Sequence, residues 1–137
     1  MLALGALAMT GLAGVPAAGR PAPTSKAAPR NWSTVVAATP EGGFRMGNPA
    51  AAIKLVEYAS LTCSHCATFA REGTPSLVAK YVKTGKVSYE YRSYILNGID
   101  VAAVLATRCS GAKGFFPMAE ALYANQPQWL GKVSILT

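Results

Sequence analysis

Two apolar segments in the middle of the chain have the pattern of β-strands, and the residues between them have helical spacing. Residues 53–58 form an apolar run bounded by chain-breaking residues, which predicts a buried central strand. Residues 87–95 alternate and are rich in Tyr and Val, which predicts a second strand beside the first. A strand, a crossover helix and a parallel strand make one complete unit of an α/β sheet, so we expect an α/β domain.

The predicted crossover helix begins near Cys63 and is interrupted at residues 73–75. Pro75 lacks an amide proton and its ring clashes with the preceding turn, which predicts a kink. Gly85 is well placed to end the helix. The apolar positions predicted to form one face of this helix are Phe69, Leu77, Val78, Tyr81 and Val82.

Shorter elements are predicted on both sides of this unit. Residues 33–38 predict a short strand, and residues 44–46 predict its partner across a glycine-rich turn. Residues 99–109 have apolar residues at helical spacing, and residues 115–124 predict another helix that stops before Pro127. The sequence has no internal repeat, and 137 residues suit one domain.

The first 19 residues carry no charge and form an apolar stretch rich in Ala and Gly. Small residues at 17–19 suit cleavage, so the stretch resembles a secretory signal, and an uncleaved membrane anchor is the alternative. The positive charge expected before such a stretch is absent, which suggests a start further upstream. Residues 20–31 are rich in Pro and Ala and predict a linker, which leaves 32–137 as the folded domain. We therefore expect an exported protein, in the periplasm and either released or tethered to a membrane.

The net charge of +7 arises from 13 basic and 6 acidic residues. The basic residues are scattered, without a run of adjacent Lys or Arg and without an aromatic-interleaved stripe. This pattern argues against nucleic acid as a partner and favours a solvated basic surface.

The Cys63-Ser64-His65-Cys66 segment is the candidate for chemistry, because it lies where a strand passes into a helix. Unpaired amide protons and the helix dipole at that point lower the pKa of the first cysteine. His65 adds a donor or a cation that favours the thiolate. A stabilised thiolate makes the disulfide more oxidising. We expect Cys63 to be the exposed, attacking sulfur and Cys66, one turn into the helix, to be the buried resolving sulfur.

Other readings of the same cysteines stay open at this point. The pair could form a purely structural disulfide, or a metal site together with His65. His65 is the only histidine, and no second CxxC completes a tetrahedral site, so no metal or other cofactor is predicted. Covalent haem attachment requires His directly after the second cysteine, and Ala67 stands there.

The residues around the motif resemble the DsbA family of exported thiol-disulfide oxidoreductases. The resemblance is most specific over residues 55–66 (LVEYASLTCSHC) and extends to residues 46–51, 85–92 and 108–123, within a match from about 44 to 129. It implies a thioredoxin-like sheet interrupted by a helical insertion. It also implies exported proteins with thiols or disulfides as substrates, and a membrane quinone-linked partner that reoxidises the pair. The expected direction is oxidation, with isomerase or reductase work as the alternative.

Two further residues gain an interpretation from this resemblance or from their surroundings. Glu57 matches the acidic residue that the family places beneath the active site, where it would help to move the proton of Cys66. The alternative is that Glu57 faces a polar loop or pairs with a base such as Arg92. Cys109, the odd third cysteine, is predicted to be a buried small hydrophobe on a helix beside Val104. A partner thiol outside the chain, or interference with the active pair, is the alternative.

Members of the family also carry a cis-proline loop that faces the CxxC, then closing strands and a terminal helix. None of these is found in this sequence, which ends inside or just after the helical insertion. The expected fold therefore lacks the C-terminal half of the thioredoxin fold. Unpaired strand edges and exposed apolar surface predict aggregation or dimerisation by strand exchange. A fragment of a longer protein, or an inactive truncated product, would account for this pattern.

Overall fold

Four strands form one mixed sheet in the computed structural model, which describes residues 30–133. In chain order they are β1 (Val36–Ala38), β2 (Phe44–Gly47), β3 (Ile53–Ala59) and β4 (Val87–Ser93), and across the sheet the order is β1-β2-β4-β3. β1 pairs with β2 and β2 with β4 in antiparallel fashion, whereas β3 and β4 are parallel. The predicted hairpin and the parallel pair are both confirmed. The predicted signal or anchor at 1–19, and the linker up to residue 29, lie outside the described residues.

The prediction that residues 53–58 form a buried central strand is wrong in one respect. Within the described residues β4 is central, because it pairs on both sides, and β3 lies at the edge. Ile53 is 59% and Tyr58 63% exposed, while Tyr89 and Tyr91 of β4 are buried. An apolar run indicates a strand, but its hydropathy does not distinguish an edge position from a central one.

The crossover between β3 and β4 consists of three helical pieces. α1 spans Ser64–Glu72, α2 spans Thr74–Leu77, and a π-helical turn spans Val78–Val82. The predicted break is confirmed, but it falls at Gly73, and Pro75 lies in the first turn of α2, where it needs no amide partner. Phe69, whose ring lies against Gly73, and Tyr81 are exposed, contrary to the predicted apolar face, while Val82 is fully buried.

Gly85 ends the crossover, as predicted, for two structural reasons. Its φ is +79°, a left-handed conformation that favours glycine. A Cβ atom at this position would also lie 2.6 Å from the ring of Trp32, which belongs to a short 3₁₀ helix over Trp32–Thr34. The chain therefore turns into β4 with Trp32 packed against the turn.

Three helices follow β4: α3 (Gly98–Cys109), α4 (Gly111–Ala124) and α5 (Gln126–Val133). The first two are confirmed, with α4 starting four residues before its predicted start at 115. Pro127 lies in the first turn of α5, so the residue that was predicted to follow the last helix instead opens a further one. None of the helices within 30–133 is long and apolar enough to cross a membrane.

The core lies between one face of the sheet and the helices, and aromatic rings fill its centre. The rings of Phe44 on β2 and Phe115 on α4 stack with centroids 4.0 Å apart. Tyr91 meets Phe115 edge-on at 5.3 Å, and Tyr89 meets Phe116 at 5.6 Å. These contacts fix α4 against β2 and β4, and α4 also packs against α1, the helix that contains Cys66.

Candidate active site

Cys63 is the N-cap residue of α1, at the junction that the sequence predicts. Its backbone is extended (φ −82°, ψ 122°), and its carbonyl oxygen accepts a hydrogen bond from the Ala67 amide at 3.1 Å. The backbone N–H of Cys66 hydrogen-bonds the Cys63 sulfur and is the main reason that the pKa of Cys63 is lowered. Hydrogen bonds from the Cys66 thiol and from the backbone N–H of His65 act in the same direction. The first turn of the helix therefore stabilises the thiolate, as expected for this position.

Cys66 has the opposite character, although it lies only one helical turn away. Burial is the main reason that the pKa of Cys66 is raised, and the negative charges of Cys63 and Glu57 raise it further. The backbone N–H of Ser60 opposes this by donating a hydrogen bond to the sulfur. Both cysteines are free thiols in this structure, and each is partly buried. The two sulfurs thus differ in acidity in the direction that a nucleophile and a resolving thiol require.

His65 acts on Cys63 through its backbone rather than through its ring. Its side chain is exposed, and its imidazole makes no hydrogen bond to any residue from 30 to 133. The prediction was that the imidazole ring of His65 would stabilise the Cys63 thiolate as a donor or a cation. In this structure the backbone N–H of His65 contacts the sulfur, and the ring does not.

Glu57 lies on β3, and its partner is Tyr89 on the neighbouring strand. The Tyr89 hydroxyl donates a hydrogen bond to Oε2 of Glu57. Burial raises the pKa of Glu57, and the hydrogen bond from Tyr89 partly offsets that rise. The alternative pairing of Glu57 with Arg92 is wrong, because Arg92 binds Glu90 at 2.7 Å on the other face of the sheet. Glu57 is close enough to Cys66 for its charge to raise the pKa of that thiol.

Asp100, which the sequence analysis missed, anchors the loop that leads into the motif. It is fully buried, and its carboxylate accepts hydrogen bonds from the Leu61 amide at 3.0 Å and from the Ser60 hydroxyl. It also accepts from the Leu96 amide at 3.0 Å. The sequence pattern around Asp100 could have identified this residue, because an acid three residues after an N-cap is typical of a helix start. Asn97 is the N-cap residue of α3, and its side chain accepts a hydrogen bond from the Asp100 amide at 2.9 Å.

A second group of buried polar side chains reaches the same loop from α4, α5 and β4. The Tyr123 hydroxyl lies 2.8 Å from that of Tyr91 and donates to the Ser60 carbonyl at 3.2 Å. Nε2 of Gln126 donates to the carbonyls of Leu61 at 2.8 Å and Cys63 at 3.1 Å. No sequence pattern indicated a role for these residues, since a glutamine beside a proline is typical of a loop.

A cleft of about 640 Å³ opens between α1, α2 and α4. Its wall includes Ala67, which follows Cys66, together with Met46, Val78 and Tyr123, while Glu120 is among its charged residues. The described residues contain no group of three or more His, Cys, Asp or Glu side chains that could hold a metal ion. The site itself brings together two thiols and a nearby acid, Glu57.

Cys109 is exposed, so the prediction that it is a buried small hydrophobe is wrong. The buried positions of α3 are Asp100, Ala103, Val104 and Thr107, which follow one helical face. Cys109 belongs to the opposite face with Leu105, which is 57% exposed. It is not part of the site around Cys63.

Comparison with known proteins supports this description of the fold. The thioredoxin family matches residues 39–135. The chain belongs to the thioredoxin family. Among curated relatives within it, a Rickettsia typhi protein whose name is "Putative protein-disulfide oxidoreductase" is 33% identical over 85 residues, which cover 61% of this chain and 32% of the relative. The chain thus spans about a third of the length of the curated relatives that it matches.

Two solved structures resemble the chain closely enough to compare folds. A protein-disulfide isomerase from Novosphingobium aromaticivorans has a TM-score of 0.66 and 36% identity, covering 70% of this chain and 49% of that one. The α-DsbA1 of Wolbachia pipientis has a TM-score of 0.60 and 30% identity, covering 67% of this chain and 52% of that one. The expected thioredoxin-like α/β fold of DsbA type, with its helical insertion, is confirmed.

Proposed function

We propose that this chain exchanges disulfides with exported proteins through Cys63 and Cys66, and that it does so as an oxidant. The observation that carries the proposal is the opposite shift of the two thiol pKa values at the start of α1, lowered for Cys63 and raised for Cys66. A low-pKa thiol is both a ready thiolate and a good leaving group. The names of the relatives, a disulfide oxidoreductase and a disulfide isomerase, agree with thiol-disulfide chemistry at this pair.

In the oxidising direction the pair starts as a Cys63–Cys66 disulfide. A substrate thiolate attacks the Cys63 sulfur, a mixed disulfide forms, and Cys66 leaves as a thiolate that takes up a proton. A second thiolate of the substrate then attacks the substrate sulfur of the mixed disulfide and displaces Cys63. The substrate gains a disulfide and loses two electrons, and the pair ends as a dithiol. If Cys66 attacks first, it resolves the mixed disulfide and releases the substrate unchanged.

The acidity of Cys63 sets the direction of this exchange. Cys63 leaves readily in the second step because the amides of His65 and Cys66 stabilise its thiolate. The same stabilisation favours the reduced pair over the disulfide and so raises the reduction potential. Glu57 serves as a proton acceptor and donor for Cys66, and burial raises the pKa of this carboxyl above its ordinary value.

We expect the activity to operate in the periplasm, with a membrane quinone-linked protein that reoxidises the dithiol. The uncharged, apolar residues 1–19 support export, and the resemblance to DsbA-type proteins supports such a partner. A fusion of the full chain to a reporter that is active only after export would test the location. An inactive reporter, with the fusion protein retained in the cytoplasm, would contradict it.

A redox titration of the full chain, with the formation of disulfides in a reduced substrate protein as the activity, tests the proposal. We expect a potential well above that of a structural disulfide and an activity that Cys63→Ser abolishes, while Cys109→Ser leaves it intact as the matched control. A strongly reducing potential would refute the oxidising role. The name of the Novosphingobium structure favours isomerisation as the second candidate, which would appear as faster reactivation of a substrate with scrambled disulfides.

A further inference from the structure

A basic and aromatic surface lies around the turn between the π-helical turn and β4. Lys80, Lys83 and Lys86 are all exposed there, and Tyr81 between them is 48% exposed. The segment forms one unit, because the Lys86 amide donates to the Tyr81 carbonyl at 3.1 Å and the Thr84 hydroxyl lies 2.9 Å from the same oxygen.

The start of the described chain adds to this surface. The Trp32 amide donates to the Lys83 carbonyl at 3.1 Å, and the Trp32 ring packs against Gly85. The Arg30 guanidinium lies 4.7 Å from the centre of the Trp32 ring. We call this set the basic turn surface. Its members are Arg30, Trp32, Lys80, Tyr81, Lys83 and Lys86.

The sequence on either side contributes no compensating negative charge. Residues 73–89 contain no acid, and the first acid of the chain is Glu41, so residues 1–40 carry only positive side-chain charges. Lysine and arginine beside Trp and Tyr match the chemistry of a lipid headgroup layer: anionic groups attract the cations, and the amphipathic rings lie at the interface.

We propose that the basic turn surface rests on an anionic lipid bilayer. The sequence favours a membrane over an acidic protein or a nucleic acid as the partner, because only ten residues separate the uncharged, apolar residues 1–19 from Arg30. The basic turn surface and the apolar segment can then meet the same bilayer.

This placement leaves the thiols on the far side of the domain. Val87 at the start of β4 pairs with Ile53 at the start of β3, and Ser93 pairs with Ala59, after which the chain reaches Cys63. Seven paired residues in a strand span about 20 Å. The basic turn surface therefore lies at the opposite end of the sheet from Cys63, which would face away from the membrane.

Lysine labelling tests the proposal with the full chain, whether or not residues 1–19 insert into the bilayer. The protein is acetylated in the presence of vesicles of neutral phosphatidylcholine, or of phosphatidylcholine mixed with anionic phosphatidylglycerol, and each lysine is quantified by mass spectrometry. We expect Lys83 and Lys86 to react severalfold more slowly on the anionic vesicles only, and Lys113 and Lys132, which are exposed on α4 and α5, to react at unchanged rates. Equal protection of all four lysines, or none, would overturn the proposal.

A pair of matched double variants provides the second measurement. Lys83→Gln with Lys86→Gln, and Lys113→Gln with Lys132→Gln, remove the same charge from different faces. One lysine near an anionic surface strengthens binding by roughly fivefold, so the first pair should weaken binding to anionic vesicles by roughly thirtyfold relative to the second. High salt should remove the difference. Equal binding by the two variants, or tighter binding of duplex DNA than of anionic vesicles by the unmodified protein, would overturn the assignment to lipid. Disulfide exchange should be the same in both variants, so this outcome is independent of the proposed function.

Discussion

Replacing Tyr89 by Phe would remove the hydrogen bond that favours the charged form of Glu57 and keep the ring that packs against Phe116. Burial would then act on Glu57 unopposed, and its pKa, which is already raised, would rise further. A carboxyl group whose pKa is higher in the folded than in the unfolded state binds its proton more tightly when folded. Its contribution to stability is therefore fully present below the unfolded value, about 4.3, and is lost as the pH rises through the folded value.

The size of the effect follows from the charge of the acceptor. A hydrogen bond to a charged group contributes about 1.5–3 kcal/mol to stability, and one between neutral groups about 0.5–1.5 kcal/mol. Glu57 is only partly buried, so water compensates part of the loss and the lower half of each range applies. We expect Tyr89→Phe to lower the free energy of unfolding by about 2 kcal/mol near pH 8 and by about 1 kcal/mol near pH 3.

Urea unfolding of the reduced protein at both pH values measures this difference. Tyr91→Phe is the matched control on the same strand, since its hydroxyl contacts Tyr123 and the Ala59 carbonyl rather than a carboxylate. Its cost should be the same at both pH values. Glu57→Gln should remove the pH dependence of the Tyr89→Phe effect. An equal loss for Tyr89→Phe at acid and alkaline pH would refute the idea that Tyr89 stabilises a charged Glu57.

Three further outcomes are expected. Alkylation of Cys63 by iodoacetamide should continue at pH values well below those needed for a free cysteine, with Cys66 reacting only at higher pH; matching profiles would contradict the assigned roles. Asp100→Asn should lower the free energy of unfolding in urea by about 2–4 kcal/mol, because an NH2 donor replaces one of the two buried carboxylate oxygens that accept hydrogen bonds from Ser60, Leu61 and Leu96. Gly85→Ala should cost about 1–3 kcal/mol through its positive φ and the contact with Trp32, whereas Gly98→Ala, with open space around it, should be near neutral in thermal unfolding.

The elements that carry the cysteines could be predicted because local sequence determines them. Each element has its own pattern of apolar residues: a continuous run in β3, helical spacing in the segment after it, and alternation in β4. These patterns can be read from neighbouring residues alone. Gly85 could be predicted as a stop because its backbone conformation is a local property. The motif was located for the same reason, at the start of the helix that follows the strand.

What depends on tertiary packing could not be predicted in this way. The sequence shows that Cys109 lies on a helix, but tertiary packing decides which face of α3 is buried: Asp100 and Thr107 are fully buried, and Cys109 is exposed. The exposure of Phe69 depends on the break at Gly73, over which its ring folds. The roles of Tyr123 and Gln126 depend on contacts with residues more than 60 positions away in the chain, which no local pattern records.

The difference between the two thiols depends on these distant contacts as much as on the motif itself. Cys63 is acidic only while its sulfur faces the amides of His65 and Cys66, and this requires the preceding loop to keep Cys63 extended at the N-cap. That loop is held by Asp100 of α3, by Tyr123 of α4 and by Gln126 of α5. Each of these side chains binds a backbone group between Ser60 and Cys63, so the helical insertion fixes the geometry on which the chemistry depends. A CxxC at a helix start would therefore lose much of its asymmetry without the insertion, even though no residue of the insertion reacts.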